Sequence, residues 1–161
     1  MTETYPLLIP GATTDDGILE VLAPYDNTKI AEVTAADGAA VAKALQTAYA
    51  LYRDRDQWLR PSQRIEILST AATILSSRAD MLALEAAREG GKPLVDSQIE
   101  VARAVDSIKS CIETLRTDGG KEIPMDLNAA SAGKIAMTSR EPIGVVAALS
   151  AFNHPLNLIA H

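Results

Sequence analysis

Residues 140–158 read REPIGVVAALSAFNHPLNL, and this stretch decides the fold. From Ile143 to Leu149 no polar side chain interrupts the run. A strand with one face in water alternates apolar and polar residues, whereas an unbroken apolar run is the pattern of a parallel strand covered on both faces. Ser150-Ala151-Phe152-Asn153-His154-Pro155 then supplies loop chemistry, and a new apolar segment begins at Leu156. Strand, loop and helix start in that order predict a βα unit, which needs further βα units beside it. No closing cap follows Ala160, so the chain is expected to stop in the middle of an element.

Upstream the chain reads as helical. Ala and Leu are abundant and aromatic residues make up 4% of the chain, a balance that favours helix over an all-β sandwich. Asp37 can cap a helix whose apolar residues Val41, Leu45, Ala48 and Tyr52 fall on one face. Pro61 suits a first helical position, and Ile65, Leu68, Ala72 and Leu75 repeat the spacing. A shorter helix is expected from about Ala79 to Arg88, stopped by Gly90-Gly91, and Pro93 opens the longest one. The inner side of that helix reads as Ile99, Ala102, Val105, Ile108, Ile112 and Leu115, with Gly119-Gly120 ending it. Such stripes are first of all core packing.

Two further regions are extended. Ile18–Leu22 and Lys29–Thr34 flank the turn residues Pro24-Tyr25-Asp26-Asn27 and predict a hairpin. It must pack on a later element, because an isolated hairpin is marginal in water. Lys121 to Leu127 and Lys134 to Thr138 also read as extended, separated by small residues from Asn128 to Gly133.

The composition excludes several function classes. With 161 residues, 47% hydrophobic, the chain can bury one sizeable core. Its 22% charged residues and net charge of -6 are those of a globular chain and not a disordered one. The acidic balance lacks a Lys/Arg block, which argues against nucleic acid and anionic membranes as primary partners. One Cys and two His provide neither a disulfide framework nor a Cys- or His-rich metal site, so no metal is expected. No secretory signal opens the chain, and no apolar run approaches the roughly 20 residues of a membrane span. A soluble, cytoplasmic chain is the expectation. There is no internal repeat, and neither G-x-G-x-x-G nor a P-loop is present.

The segments Arg140-Glu141-Pro142-Ile143-Gly144-Val145-Val146 and Phe152-Asn153-His154-Pro155-Leu156-Asn157-Leu158 resemble the signature of the NAD(P)-dependent aldehyde dehydrogenase superfamily. The upstream order agrees. Pro24-Tyr25-Asp26 with Ile30-Ala31-Glu32-Val33 is similar to the family's first hairpin, and Arg60-Pro61, Arg64, Leu68, Leu75 and Arg78 are similar to its second helix. Glu89-Gly90-Gly91-Lys92-Pro93 and Glu100 resemble its Glu-x-Gly-Lys-Pro segment and the acidic residue after it. The likeness runs from about residue 15 to the end. Its wording, PYD and FNHPLNL, is nearest to the lactaldehyde and non-phosphorylating glyceraldehyde-3-phosphate branch, a pointer to small polar aldehydes.

The resemblance implies an α/β fold: the N-terminal part of an aldehyde dehydrogenase, with hairpin, four helices, a bridging β-arm and the first strand of a Rossmann-like parallel sheet. It divides the chain into residues 1–119, the hairpin and helices of the cofactor-binding domain; 120–141, bridging strands; and 142–161, the first strand and loop of the sheet. In the family a cysteine thiolate attacks the aldehyde, hydride passes to NAD or NADP, and a glutamate-activated water releases the acid. Both of those residues lie beyond position 161. The resemblance assigns Asn153 the side-chain donor to the oxyanion, a neutral and non-titrating group suited to that task. The residues by themselves equally allow Asn153 to cap the turn before Pro155. Leu149, Ser150, Ala151 and Phe152 would line the cofactor pocket at the carboxyl end of the strand. The chain departs from most relatives at Ala151, where Pro is usual, and at His154, where an aromatic residue is usual.

Further expectations follow. Cys111, beside Ile108 and Ile112, reads as a buried, inert thiol, and Glu89 and Glu100 as structural ion pairs or helix-surface charges. Residues 120–141 are expected to pair with a second copy, or to fold back as a two-stranded ribbon, since free strand edges need a partner. By itself the chain should bind NAD(P) weakly or not at all and oxidise no aldehyde. The competing readings are a helical module with a β-arm that binds itself or a partner without catalysis, and a stand-alone dinucleotide binder. The missing glycine-rich phosphate loop counts against the latter.

Overall fold

Turn chemistry sets the hairpin near the start of the chain. In the computed structural model, which describes residues 3–14 and 17–161, β2 (Ile18–Leu22) and β3 (Lys29–Thr34) pair antiparallel, with Leu19 opposite Val33 and Val21 opposite Ala31. Asp26 closes the turn by accepting from the Thr28 amide at 3.0 Å and its hydroxyl at 2.7 Å. Asn27 takes the left-handed conformation, φ 58°, which Asn tolerates better than most residues. A third strand, β1 (Glu3–Tyr5), lies parallel to β3 on its other edge, giving the order β1-β3-β2. Three residues carry no readable period, so β1 was not legible in the sequence.

Four helices follow where capping residues predict them. Asp37 caps α1 (Gly38–Arg53) by accepting from the Ala40 amide at 2.7 Å. Pro61 is the first residue of α2 (Pro61–Ser77), and Gln63 reaches back to the Arg60 amide at 2.8 Å. α3 (Ala79–Gly90) ends on Gly91 in the left-handed conformation, the usual helix stop. α4 (Leu94–Thr117) is the spine, packing against α2, α3 and the short α5 (Asn157–Ala160). Ala72, Val105 and Ile108 form the centre of the core, with Leu68, Leu75 and Ala160 packed on it. The predicted inner stripe of α2 is thus its inner face.

Two stripes depart from expectation. In α4 the buried face is Ser97, Glu100, Val101, Ala104, Val105, Ile108 and Ile112, while Ile99 and Ala102 face outward. The C-terminal half of the reading holds and the N-terminal half is out of phase. A search for apolar residues passes over Glu100, which occupies the buried phase. In α1, Val41 and Leu45 are exposed, because the main contact of this helix is the 3-10 turn Arg55–Gln57. Periodicity tells which face seeks cover, not whether cover is at hand.

The C-terminal quarter is less ordered by pairing. β4 (Glu122–Ile123) and β5 (Ala136–Met137) form a short antiparallel ribbon, extended by the Thr138 amide donating to the Lys121 carbonyl at 2.8 Å. Residues 143–149, expected as a parallel strand, are in no ladder among the described residues, and Ile143, Val146 and Leu149 are exposed. A strand is made by its neighbours' hydrogen bonds; the described residues offer this run none. Ion pairs hold its entrance: Arg55 to Glu141, and Arg140 to Asp118 at 2.6 Å. Arg55 also lies over the Trp58 ring, 4.9 Å from its centroid, and that ring stacks on Tyr52. No helix of the described residues is long and apolar enough to cross a membrane.

Candidate active-site cleft

Three parts of the chain meet around a cleft of about 640 Å³. The hairpin turn contributes Pro24, the end of α3 and its connection contribute Glu89, Gly90 and Lys92, and the loop before α5 contributes Ser150, Ala151, Phe152, Asn153 and Pro155. Gly91 lets the first two parts close. Its φ is 65°, and a Cβ there would lie 3.3 Å from the Pro24 side chain. Of the five expected site residues, Ser150, Ala151, Phe152 and Asn153 line this cleft together. Leu149 does not; it is 99% exposed, one residue upstream.

Asn153 is exposed, and its side-chain amide has no hydrogen-bond partner among the described residues. A turn-capping Asn accepts from a backbone amide one or two residues on. This one does not, so its donors stay available to something in the cleft. Pro155 and the backbone bond from Leu158 to the His154 carbonyl, 3.1 Å, shape the loop that carries it.

The loop is fastened from beneath by Glu100, expected only as a structural ion pair or a helix-surface charge. Glu100 is 1% exposed, and both its carboxylate oxygens are engaged. Oε1 accepts from the amides of Leu156 at 2.7 Å and Asn157 at 3.1 Å, while Oε2 pairs with the Lys92 ammonium. His154 Nδ1 stands 3.6 Å from Oε2, an ion pair when the imidazole is protonated. A buried carboxylate is tolerated only when paired and hydrogen-bonded, and removing one partner of such a pair costs about 3–5 kcal/mol. The available signal was a charged residue in phase with Val101, Ala104, Val105 and Ile108. Glu89, by contrast, is exposed on the rim of the cleft.

Cys111 corrects an expectation. It is exposed, and it lines a separate groove of about 420 Å³ with Ser107 and Asn157 among others. Successive helical residues turn by about 100°, so adjacency to the buried Ile112 did not place Cys111 on the same face. No group of three or more His, Cys, Asp or Glu among the described residues could hold a metal ion.

Comparison with known proteins shows the family of the chain. Residues 12–161 match the family described as the aldehyde dehydrogenase family. The chain belongs to that family. It is 34% identical over 143 residues to 3-sulfolactaldehyde dehydrogenase of Priestia aryabhattai, covering 89% of this chain and 29% of that one. Its structure is similar to that of aldehyde dehydrogenase 21 from Physcomitrella patens in complex with the reaction product succinate. The TM-score is 0.89 at 27% identity, over 99% of this chain and 34% of that one. A second similar structure is NADP-dependent glyceraldehyde-3-phosphate dehydrogenase from Bacillus halodurans complexed with NADP. There the TM-score is 0.81 at 27% identity, covering 90% of this chain and 30% of the other. The chain therefore spans about a third or less of the length of these aldehyde dehydrogenases. Its mixed helix and strand architecture is the N-terminal part of their α/β fold.

Proposed function

We propose that this chain is the N-terminal portion of an NAD(P)-dependent aldehyde dehydrogenase that oxidises a small polar aldehyde to its acid, and that Asn153 donates to the oxyanion. The observation that carries the reading is the uncommitted Asn153 amide, held in one cleft with Ser150, Ala151 and Phe152. Ala151, Phe152 and Ile159 offer apolar surface there and Ser150 a hydroxyl, a set that suits one wall of a dinucleotide site. When bound, the nicotinamide accepts the hydride. The chain's own task is to present a neutral N–H where negative charge develops on the aldehyde oxygen, and to keep that donor oriented before the charge appears. The attacking thiolate and the base come from outside this chain. The sulfolactaldehyde relative supports the substrate class. We assign residues 1–119 and 142–161 to the cofactor-binding domain. Residues 120–141 are assigned to contact with a second copy; the exposure of Leu127, Ile135 and Met137 on that ribbon supports this.

The test is aldehyde-dependent NAD(P)H production. In the full-length enzyme that carries this chain, Asn153→Ala should lower kcat by about 10²–10³. The 161-residue chain alone should give no turnover. Turnover by the pure chain, or an unimpaired Asn153→Ala enzyme, refutes the assignment.

A further inference from the structure

We infer that Glu100 is the positioning residue for Asn153. The inference rests on the oxyanion reading above and names what makes that donor preorganised. An oxyanion donor is useful only if its place is fixed before the charge forms, yet among the described residues none hydrogen-bonds the Asn153 side chain itself. Its position must come from the backbone on either side. Upstream, residues 143–149 are in no ladder and the nearest ion pairs are at Arg140 and Glu141. Downstream, His154 stands 3.6 Å from Glu100 Oε2, and the first hydrogen bonds to another element are those of Glu100 Oε1, which takes the amides of Leu156 and Asn157, three and four residues after Asn153. Pro155 lies between and fixes one φ of the connection.

The attachment is stiff for a reason visible in α4. Glu100 sits on the inward face of the longest helix, flanked by the fully buried Ser97 and Val101, so its own movement would disturb the core. Its second oxygen is occupied by Lys92, which lines the same cleft as Asn153. The floor of the cleft and the loop above it thus share one carboxylate. Charge neutralisation by Lys92 explains why a carboxylate can sit there; the two amides explain why it is aimed at this loop.

The test is a double-mutant cycle in the full-length enzyme. Glu100→Gln keeps the size and one acceptor oxygen and should lower kcat about 10-fold. Glu100→Ala releases the loop and should approach the loss of about 10² that a displacement near 1 Å produces. The Kd for NAD(P) should change little. In an Asn153→Ala background either substitution should cost less than about 3-fold, because a group that acts through Asn153 has nothing left to act through. Amide exchange in the 161-residue chain should quicken at Leu156 and Asn157 while the α2–α4 core stays protected. Should Glu100→Ala fail to fold, the Glu100→Gln cycle carries the same comparison. Equal losses in both backgrounds, or unchanged kcat on releasing the loop, overturn the inference while leaving an impaired Asn153→Ala, and hence the oxyanion reading, intact. An unimpaired Asn153→Ala refutes that reading and with it this role for Glu100, even where Leu156 and Asn157 exchange quickens as expected.

Discussion

The inward face of α4 and the run Ile143–Leu149 are similarly apolar and end up in opposite surroundings. Val101, Ala104, Val105, Ile108 and Ile112 are buried between α2 and α3, while Ile143, Val146 and Leu149 are largely in contact with solvent. Val105, Ile108 and Ile112 of the helix and the whole of the run were read from the sequence as covered; Val101 and Ala104 were not. The difference lies in what a helix and a strand each require. A helix satisfies its own backbone and needs only a neighbouring face, which the adjacent α2 and α3 supply. A parallel strand needs hydrogen bonds from strands remote in sequence as well as cover on two faces. Residues 143–149 lie between the ion pairs of Arg55 and Arg140 and the loop that Glu100 holds at Leu156, and between these points Ile143, Val146 and Leu149 are exposed.

The largest expected effect follows directly. Ile108 is 8% exposed at the centre of the core, and Ile108→Ala should destabilise the chain by about 2–5 kcal/mol. Val146→Ala removes a comparable amount of hydrocarbon from a side chain 71% exposed, and should stay within about 0.5 kcal/mol. Urea denaturation followed by circular dichroism measures both, through the midpoint at constant slope. A loss at Val146 that matches the one at Ile108 would mean that the run is covered in solution and the contrast is unfounded.

A middle-sized effect tests the ribbon, which resembles the run in its exposed apolar residues but does have a ladder. Gly120 has φ 100°, and a Cβ there would collide with the Thr138 carbonyl oxygen where the two extended segments meet. Gly119 has no atom within 4 Å of such a Cβ. Gly120→Ala should therefore open the ribbon, and Gly119→Ala should leave it closed. The position calls for a backbone that only glycine adopts readily, with a strain of about 1–3 kcal/mol for other residues. Hydrogen exchange of the Thr138 amide reads the opening. Sedimentation at several concentrations reads the contact proposed for residues 120–141: Gly120→Ala should weaken self-association relative to the parent chain. Equal behaviour of the two glycine variants would show that the ribbon is not held as described.

What could be read in advance divides along the same line. Asp37, Pro61, Gly91 and the turn Pro24–Asn27 act on their immediate neighbours, and each marks the element boundary it predicted. Asn153, Ser150, Ala151 and Phe152 were gathered into one expected site by the family resemblance; the residues by themselves left Asn153 equally a turn cap. Glu100 could not be assigned to that site from the residues alone, because the loop amides it holds, those of Leu156 and Asn157, are more than fifty positions away. The phase of α4 was misread at Ile99 and Ala102 for the same cause: a buried carboxylate makes sense only with Lys92 and the Leu156 amide in view. Cys111 was misplaced by sequence adjacency, which in a helix says little about shared face.

The smallest effect belongs to a region held by local hydrogen bonds, the hairpin turn. The Thr28 amide, and after it the Thr28 hydroxyl, hold the Asp26 carboxyl below the usual carboxylate pKa. A group whose pKa is depressed on folding stabilises the folded form at pH values above its unfolded pKa. That contribution is lost as the pH falls through the depressed value. The window therefore lies below the ordinary Asp range of about 4, and the loss is confined to the turn, because Asp26 is at the surface. In an NMR titration the Thr28 amide shift should hold its native position through the pH at which a free Asp is half protonated, and move only below it. Asp26→Asn should abolish the titration while leaving the β2–β3 register intact, since the cross-strand bonds of Val21 and Leu19 do not involve the carboxylate. A Thr28 shift that titrates at the ordinary Asp value would show that the turn is not closed through this carboxylate. Its order would then depend, like that of Ile143–Leu149, on a partner elsewhere.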